Sequence, residues 1–296
     1  MNVIELSKKT IEKLTLLPIP KDIFNNEALI YNFEYRKKQL LIKQLYQTKC
    51  PSFANKLYTI KMLNTYKQYI SPNIVIPDSL ITTTSKNKYQ NEIIGFTLPK
   101  IDGINLQTII NSPDIDSKHK IFYLKQIGNI LEDMKKVRQY SPLKDFFIND
   151  LHEANFIVNI NEKQLYSIDV DSYKISNNQT FIAKYLSPIG LISKAVKGKY
   201  PNENYNYIIS ENTDLYCYII VILRYLFCGN INNMSVEEYY KYLTYLNDIN
   251  IDKELLDIFY NILSPKKNIN PAPYLDTLTF EQLKKANTKI YSLIQK

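Results

Sequence analysis

Short runs of β-like composition along the chain indicate four strands in its first third. These runs are Ala28 to Phe33, Leu40 to Leu45, Ser79 to Thr84 and Ile93 to Leu98, with a basic helical segment over residues 52–69 among them. Strand-like runs separated by polar breaks are typical of an antiparallel sheet. We therefore expect a small antiparallel sheet that carries one helix.

The spacing becomes helical further along. Apolar residues recur three or four positions apart over residues 117–140, at Ile121, Leu124, Ile127, Leu131, Met134 and Val137. This spacing predicts an amphipathic helix. Residues 1–14 also have helical spacing, and we expect them to form an N-terminal helical extension.

Pro99 to Gly103 interrupts the pattern. We therefore expect an α+β fold in three parts: a sheet-rich part over residues 1–98, a connector over 99–103 and a mostly helical part over 104–296. The chain is long enough for either one large domain or two lobes.

Composition and charge are typical of a soluble globular protein. Of 296 residues, 45% are hydrophobic and 22% charged, and the net charge is +8. Three cysteines without a pairing pattern favour a reducing compartment. The chain starts without the order of a signal peptide, and its longest apolar run is too short to span a bilayer. We expect a cytoplasmic protein with no membrane partner.

Oxygen-bearing side chains concentrate in the middle of the chain. The cluster reads Asn149-Asp150-Leu151-His152-Glu153-Ala154-Asn155, and Asp169-Val170-Asp171 follows it. Mg²⁺ prefers oxygen ligands, and phosphoryl transfer also needs a carboxylate that positions the attacking hydroxyl. Asp150, Asn155 and Asp169 can supply these functions. The alternative is two surface turns that carry acids by chance.

This cluster resembles the catalytic loop H-R-D-x-x-x-x-N and the D-F-G segment of the protein-kinase superfamily. The resemblance implies a bilobal fold whose small lobe, hinge and helical lobe are the three parts delimited above. It also implies that Asp150 is catalytic and that Asn155 and Asp169 bind Mg²⁺. The wording Asp-Leu-His around His152 is closer to the aminoglycoside and choline kinase branch.

Three later segments resemble protein kinases proper. Thr213 to Gly229 is similar to the central helix of the large lobe, Tyr185 to Pro188 to the end of an activation segment, and Glu254 to Pro265 to a late C-lobe pattern. In that family an Asp in the central helix braces the catalytic-loop backbone, and this role falls here to Asp214. These segments favour a protein hydroxyl as the phosphate acceptor.

The part that would hold the nucleotide departs from the family. The first 94 residues contain no glycine, so the Gly-rich phosphate loop is absent, and we expect a turn at Phe24 to Glu27 instead. Lys43 falls at the strand lysine that contacts nucleotide phosphates. No acid occurs in residues 35–77, so the helix Glu that pairs with this lysine is missing. Ala54 or Asn55 would take its place, and Lys43 must be held otherwise or remain mobile.

The segment from Leu98 to Leu106 resembles a kinase hinge. The Pro99 carbonyl and the Ile101 amide would then face adenine, since proline keeps its carbonyl acceptor. The resemblance thus places three nucleotide contacts, at Lys43, Pro99 and Ile101.

Other departures concern control of the site. Ile148 and Asn149 replace His and Arg of H-R-D, which argues against control by an activation-loop phosphate. Ile189 and the segment Asn268 to Pro271 stand where the family has a buried Glu–Arg ion pair, and losing both partners strands no charge. Asp171 replaces the Gly of D-F-G and competes with Asp169 for the metal.

Residues 35–77 carry eight cations and no acid, and the cations are Arg36, Lys37, Lys38, Lys43, Lys49, Lys56, Lys61 and Lys67. Such a surface could attract an acidic or phosphorylated partner. Ordinary solvated lysines are the alternative. No nucleic-acid motif appears, so nucleic acid is not an expected partner.

Taken together, these features predict an ATP- and Mg²⁺-dependent phosphotransferase that moves the γ-phosphate to a hydroxyl, with a protein Ser or Thr as the favoured acceptor. The alternatives are a small-molecule kinase and a pseudokinase that binds nucleotide or serves as a scaffold without transfer.

Overall fold

The computed structural model describes residues 1–18, 28–46, 48, 51–84, 91–176, 209–228, 231, 234–262 and 268–288. In these residues the chain is a mixed α+β protein, with a small, mainly antiparallel sheet in its first part and mostly helices afterwards. The predictions at Phe24–Glu27, Tyr185–Pro188 and Ile189 lie outside the described residues.

Five strands form the sheet in the order β1-β4-β5-β3-β2. They are β1 (Asn2–Glu5), β2 (Ala28–Tyr35), β3 (Lys38–Leu45), β4 (Ser79–Thr84) and β5 (Asn91–Pro99). All neighbours pair antiparallel except β1 and β4, which run parallel. The four predicted strands are confirmed, since β2 to β5 cover each of the predicted runs.

The predicted N-terminal helix over residues 1–14 is wrong for most of its length. The chain begins with β1, and only α1 (Lys8–Ile11) is helical. Ile4 and Ile11 do share one buried cluster, as helical spacing suggested. A strand forms because the edge of β4 offers unpaired backbone groups, and β1 pairs with them with Ile4 opposite Ile81.

The helix α2 (Pro51–Thr65) covers one face of the sheet. Its buried residues Phe53 and Ile60 pack with Leu45 of β3 and Phe96 of β5. A short 3₁₀ turn, Lys67–Tyr69, follows the helix, so the helical prediction for residues 52–69 is confirmed with a break near its end.

The C-terminal part contains helices, one three-stranded sheet and one two-stranded ribbon. The helices are α3 (Leu106–Asn111), α4 (Ser117–Tyr140), α5 (Glu211–Phe227), α6 (Val236–Asp248), α7 (Lys253–Asn261) and α8 (Phe280–Thr288). The strands are β6 (Ile104–Asn105), β7 (Phe146–Phe147), β8 (Phe156–Asn159), β9 (Gln164–Ser167) and β10 (Lys174–Ile175). The predicted helix over residues 117–140 is confirmed as α4.

Two of these helices form the centre of the largest apolar core. Every predicted apolar position of α4 is buried, and α5 is buried along nearly its whole length. Asp116 caps α4 by accepting a hydrogen bond from the Lys118 amide at 3.2 Å. Of the helices in the described residues, none is both long and apolar enough to cross a membrane.

Candidate active site

A two-stranded ribbon places the two acidic segments side by side. β7 pairs antiparallel with β10, with Phe147 opposite Lys174. Asp150 comes shortly after β7 and Asp169 shortly before β10, so both segments leave the same end of the ribbon. In addition, the Ile168 amide donates a hydrogen bond to the Asn155 carbonyl at 2.9 Å. The backbone thus brings Asp150, Asn155 and Asp169 onto adjacent loops.

The loop that carries Asp150 is closed by Asn155. The Asn155 side-chain Nδ2 donates to the Asp150 carbonyl at 2.9 Å, which directs its amide oxygen away from that carbonyl. His152 Nε2 lies 3.5 Å from Asp150 Oδ2. The Asp150 side chain keeps 30% of its surface exposed, so its carboxylate remains accessible to a hydroxyl group.

Asp214 of α5 holds this loop from below. Its two carboxylate oxygens accept hydrogen bonds from the Ile148 amide at 2.8 Å and the Asn149 amide at 2.9 Å. The prediction that Asp214 braces the loop backbone is therefore confirmed. Burial raises the pKa of Asp214 to about 7, although the two amide donors act to lower it. A second contact fastens the same loop, because buried Glu153 pairs with Arg224 of α5.

Lys43 lies on the face of β3 that α2 covers. Successive side chains of a strand alternate between faces, and Lys43 shares its face with Leu45, which packs against α2. Its ammonium group forms an ion pair with Asp169 and contacts Asp171 Oδ1 at 2.7 Å. The Lys43 side chain is only 7% exposed. Lys43 is thus held by two carboxylates from the C-terminal part, and it is not mobile.

The helix α2 contributes a second lysine to the same place. Lys56 lies on the buried face of α2 that also carries Phe53 and Ile60. Its Nζ contacts Asp171 Oδ2 at 2.8 Å. Asp171 therefore binds one ammonium group through each of its oxygens.

The charges of Lys43, Lys56 and Asp171 stabilise one another. Burial disfavours the charged form of Asp171, but Lys43 and Lys56 outweigh that effect and hold the pKa of Asp171 well below its usual range. Burial likewise opposes the charge of Lys43, yet Asp169 and Asp171 raise the pKa of Lys43. Both groups stay charged throughout the physiological pH range.

The competition between Asp169 and Asp171 for a metal has a structural answer. Asp171 is 1% exposed and uses both oxygens for lysines, whereas the Asp169 side chain is 32% exposed. Asp169 also adopts a left-handed backbone conformation with φ of 62°, which is uncommon outside glycine and often marks functional sites. Asp169 is therefore the better placed of the two as a metal ligand.

These oxygens suit Mg²⁺ only together with a phosphate ligand. In the described residues, no three His, Cys, Asp or Glu side chains are grouped so that they could hold a metal ion. Mg²⁺ bound with a nucleotide takes one or two protein oxygens and completes its shell with phosphate and water. Asp169 and Asn155 offer this number of ligands, so the residues present fit a Mg²⁺–nucleotide complex and do not form a cage for the free ion.

The two predicted adenine contacts lie at one end of β5. Pro99 is the last residue of β5 and pairs with Leu40, and Ile101 follows in irregular chain. Phe96 of the same strand lies opposite Lys43. At roughly 3.3 Å per strand residue, Pro99 lies about 10 Å from Phe96 along β5. The roles of Pro99 and Ile101 in binding adenine stay predictions.

Hydrogen bonds occur at the positions that depart from the kinase pattern. Asn149, in place of the Arg, donates to the Ser172 carbonyl at 3.3 Å and so links the two loops. Asn268 contacts Asn212 of α5 at 2.5 Å and 3.1 Å, and Asn270 donates to the Gly128 carbonyl of α4 at 3.1 Å. Asparagine side chains thus fasten the segment where the kinase family has a residue of an ion pair.

One member of the cluster was missed by the sequence interpretation. Ala54, one of the two residues expected at the helix position, is exposed, and Lys56 is a helix residue that reaches the site. Its charge is also opposite to that of the Glu in the family. The available signal was the acid-free window itself, because a buried helix lysine needs a carboxylate from elsewhere in the chain.

Burial and ion pairing reduce the basic surface over residues 35–77. Lys43 and Lys56 are buried, and Lys67 pairs with Asp78 at 3.2 Å. Two of the eight cations therefore face the interior and are unavailable to an acidic partner.

No protein-family model matches this chain, and no curated protein matches it. Any assignment of activity must therefore start from the geometry of the site.

Proposed function

We propose that this chain is an ATP- and Mg²⁺-dependent phosphotransferase of protein-kinase-like, bilobal type, which moves the γ-phosphate of ATP to a hydroxyl group. The observation that carries the proposal is the contact of Lys43, from the sheet, with Asp169, from the loop beside Asp150 and Asn155. This contact joins a cation suited to phosphates with a carboxylate suited to a metal, next to a second, accessible carboxylate.

Each residue has a role that its surroundings favour. Asp150 orients the acceptor hydroxyl and takes its proton, because its exposed carboxylate sits on a loop that Asp214 and Asn155 hold rigid. Asp169 and Asn155 bind Mg²⁺, which when bound neutralises charge on the phosphates. Lys43 contacts the phosphates. The Pro99 carbonyl and the Ile101 amide bind adenine at the end of β5.

The favoured acceptor is a hydroxyl on a protein. The support is α5, whose sequence resembles the central helix of protein kinases and whose Asp214 makes the expected contacts with the loop. A small-molecule acceptor would agree with His152, which lies beside Asp150 as the Asp-Leu-His wording suggests.

A transfer assay with γ-labelled ATP tests the proposal. The protein is incubated with Mg²⁺ and labelled ATP, against protein mixtures in one arm and a panel of amino-alcohols and sugars in the other. We expect transfer that Asp150→Asn lowers by about 100-fold or more, since general-base contributions are of this order. The exposed Asp257→Asn serves as the matched control and should keep full activity. Nucleotide binding without transfer to any acceptor would contradict the phosphotransferase and indicate a pseudokinase.

A further inference from the structure

The ion cluster of Lys43, Lys56, Asp169 and Asp171 has a composition that the kinase pattern does not contain. Two lysines face two aspartates, so the formal charges of the four side chains balance. In the family pattern the strand lysine is held by a carboxylate on the helix. Here the helix supplies a cation, and the carboxylate comes from the position after Val170.

We propose that Asp171 is the positioning residue for Lys43, and that Lys56 holds Asp171 in place through its second carboxylate oxygen. The pair thereby performs the task of a helix glutamate with the two charges exchanged between helix and loop. This inference rests on the proposed function, because it names what holds the phosphate-binding lysine of that site.

The contacts of Asp169 and Asp171 indicate different roles for the two carboxylates. Lys43 touches both carboxylates, but Asp171 also holds Lys56 through its other oxygen and is fully buried. When Asp169 turns to a metal, Lys43 keeps Asp171 as its partner. Without Asp171, Lys43 has Asp169 as its remaining carboxylate in this cluster, so the lysine and the metal compete for one group.

The backbone supports a fixed position for Asp171. Asp171 lies in the 3₁₀ turn Val170–Ser172. Tyr173 follows this turn, and its backbone carbonyl accepts a hydrogen bond from the Thr59 hydroxyl of α2 at 3.3 Å. The Tyr173 hydroxyl in turn contacts Ser167 at 2.6 Å. α2 and this turn are therefore joined by contacts other than the ion pairs, which allows the charges to be exchanged without separating the elements.

A charge-exchange cycle tests the inference. The wild type, Lys56→Glu, Asp171→Asn and the double variant Lys56→Glu/Asp171→Asn are compared, and the double variant moves the carboxylate onto the helix. ATP affinity is measured by calorimetry with Mg²⁺ and again in excess chelator. The ratio of the two affinities reports how freely Asp169 serves the metal, which a merely structural residue would not alter.

We expect Asp171→Asn to lower the ratio of ATP affinity with Mg²⁺ to ATP affinity in chelator by about tenfold. The double variant should recover most of this ratio, because the two residues are coupled. An unchanged ratio in Asp171→Asn, or a double variant no better than Asp171→Asn, would overturn the inference while leaving the phosphotransferase intact. Absence of ATP binding to the wild type would overturn the proposed function and this inference with it.

Should Asp171→Asn fail to fold, Lys56→Glu and the double variant decide the matter. Lys56→Glu places two carboxylates side by side, and adding Asp171→Asn removes their repulsion. ATP binding must then improve from the single to the double variant. Equal or weaker binding in the double variant would contradict the exchange of charges.

Discussion

Individual residues of the candidate site owe their positions to a few buried polar contacts. Asp214 accepts hydrogen bonds from the two backbone amides that precede Asp150. Asp171 binds one lysine ammonium group through each of its oxygens. Bonds between charged groups, as at Asp171, are stronger than neutral ones and set geometry as well as energy. The carboxylates that hold the site in place, Asp214 and Asp171, are therefore distinct from Asp150, whose side chain remains accessible.

Asp214→Asn should weaken the fold through the loss of these contacts. Asparagine keeps one acceptor oxygen and turns an NH₂ group toward the second amide, so we expect a loss of about 2 kcal/mol in the free energy of unfolding. Urea unfolding of both proteins at pH 5 measures it. No change in stability would show that the two amide bonds contribute nothing to the fold.

The same variant should also change how stability depends on pH. Burial raises the pKa of Asp214 to about 7 in the folded state, above the usual value of the unfolded chain. The folded state therefore binds the proton more tightly, and this group's contribution to stability falls as pH rises through the interval up to about 7. We expect Asp214→Asn to cost more stability at pH 5 than at pH 8. An equal cost at both pH values would contradict the raised pKa.

The sequence identified Lys43 and Asp169 but not the network that joins them. Asp171 and Lys56 lie 115 positions apart along the chain. Their contact depends on α2 packing against the sheet and on the turn before β10, and spacing along the chain carries no trace of either. What the sequence did show was the missing helix Glu, which left two alternatives, a different partner for Lys43 or a mobile lysine, and the structure has the first.

At the level of elements, prediction succeeded where apolar periodicity was long. α4 offers six apolar positions in register, and β2 to β5 are short runs whose apolar residues are largely buried. The N-terminal segment has only Ile4 and Ile11 buried, and two positions are too few to separate a helix from a strand. The open edge of β4 decided between them, and a neighbouring edge is tertiary information.

The start of α4 provides a test at the same scale. Asp116 caps the helix through the Lys118 amide, so Asp116→Ala should lower the free energy of unfolding by about 1 kcal/mol. Asp133→Ala is the matched control, because Asp133 lies on the exposed side of α4 and pairs with Lys136 at the surface. We expect the control to change stability by about 0.5 kcal/mol or less. Equal costs for both variants, measured in urea, would remove the capping role.

In the whole molecule, contacts across the cluster join the sheet to the C-terminal part. Lys43 and Lys56 reach Asp171, and the Val75 amide donates to the Ser167 carbonyl at 2.9 Å. A ligand that binds Asp169 and Lys43 together would therefore stabilise both parts at once. Ligand that binds only the folded state raises the melting temperature by mass action.

Thermal melting of the wild type and Asp169→Asn, each with ATP alone and with Mg²⁺–ATP, tests the central claim most directly. At a ligand concentration near 100 times Kd, the free energy of unfolding increases by about 2.7 kcal/mol. For a chain of this size, that increase raises the melting temperature by several degrees. We predict that Mg²⁺–ATP raises the melting temperature of the wild type and of the control Asp257→Asn. In Asp169→Asn, the part of this increase that depends on Mg²⁺ should be lost. No shift in the wild type, or an equal shift in Asp169→Asn, would contradict a Mg²⁺–nucleotide site at Asp169.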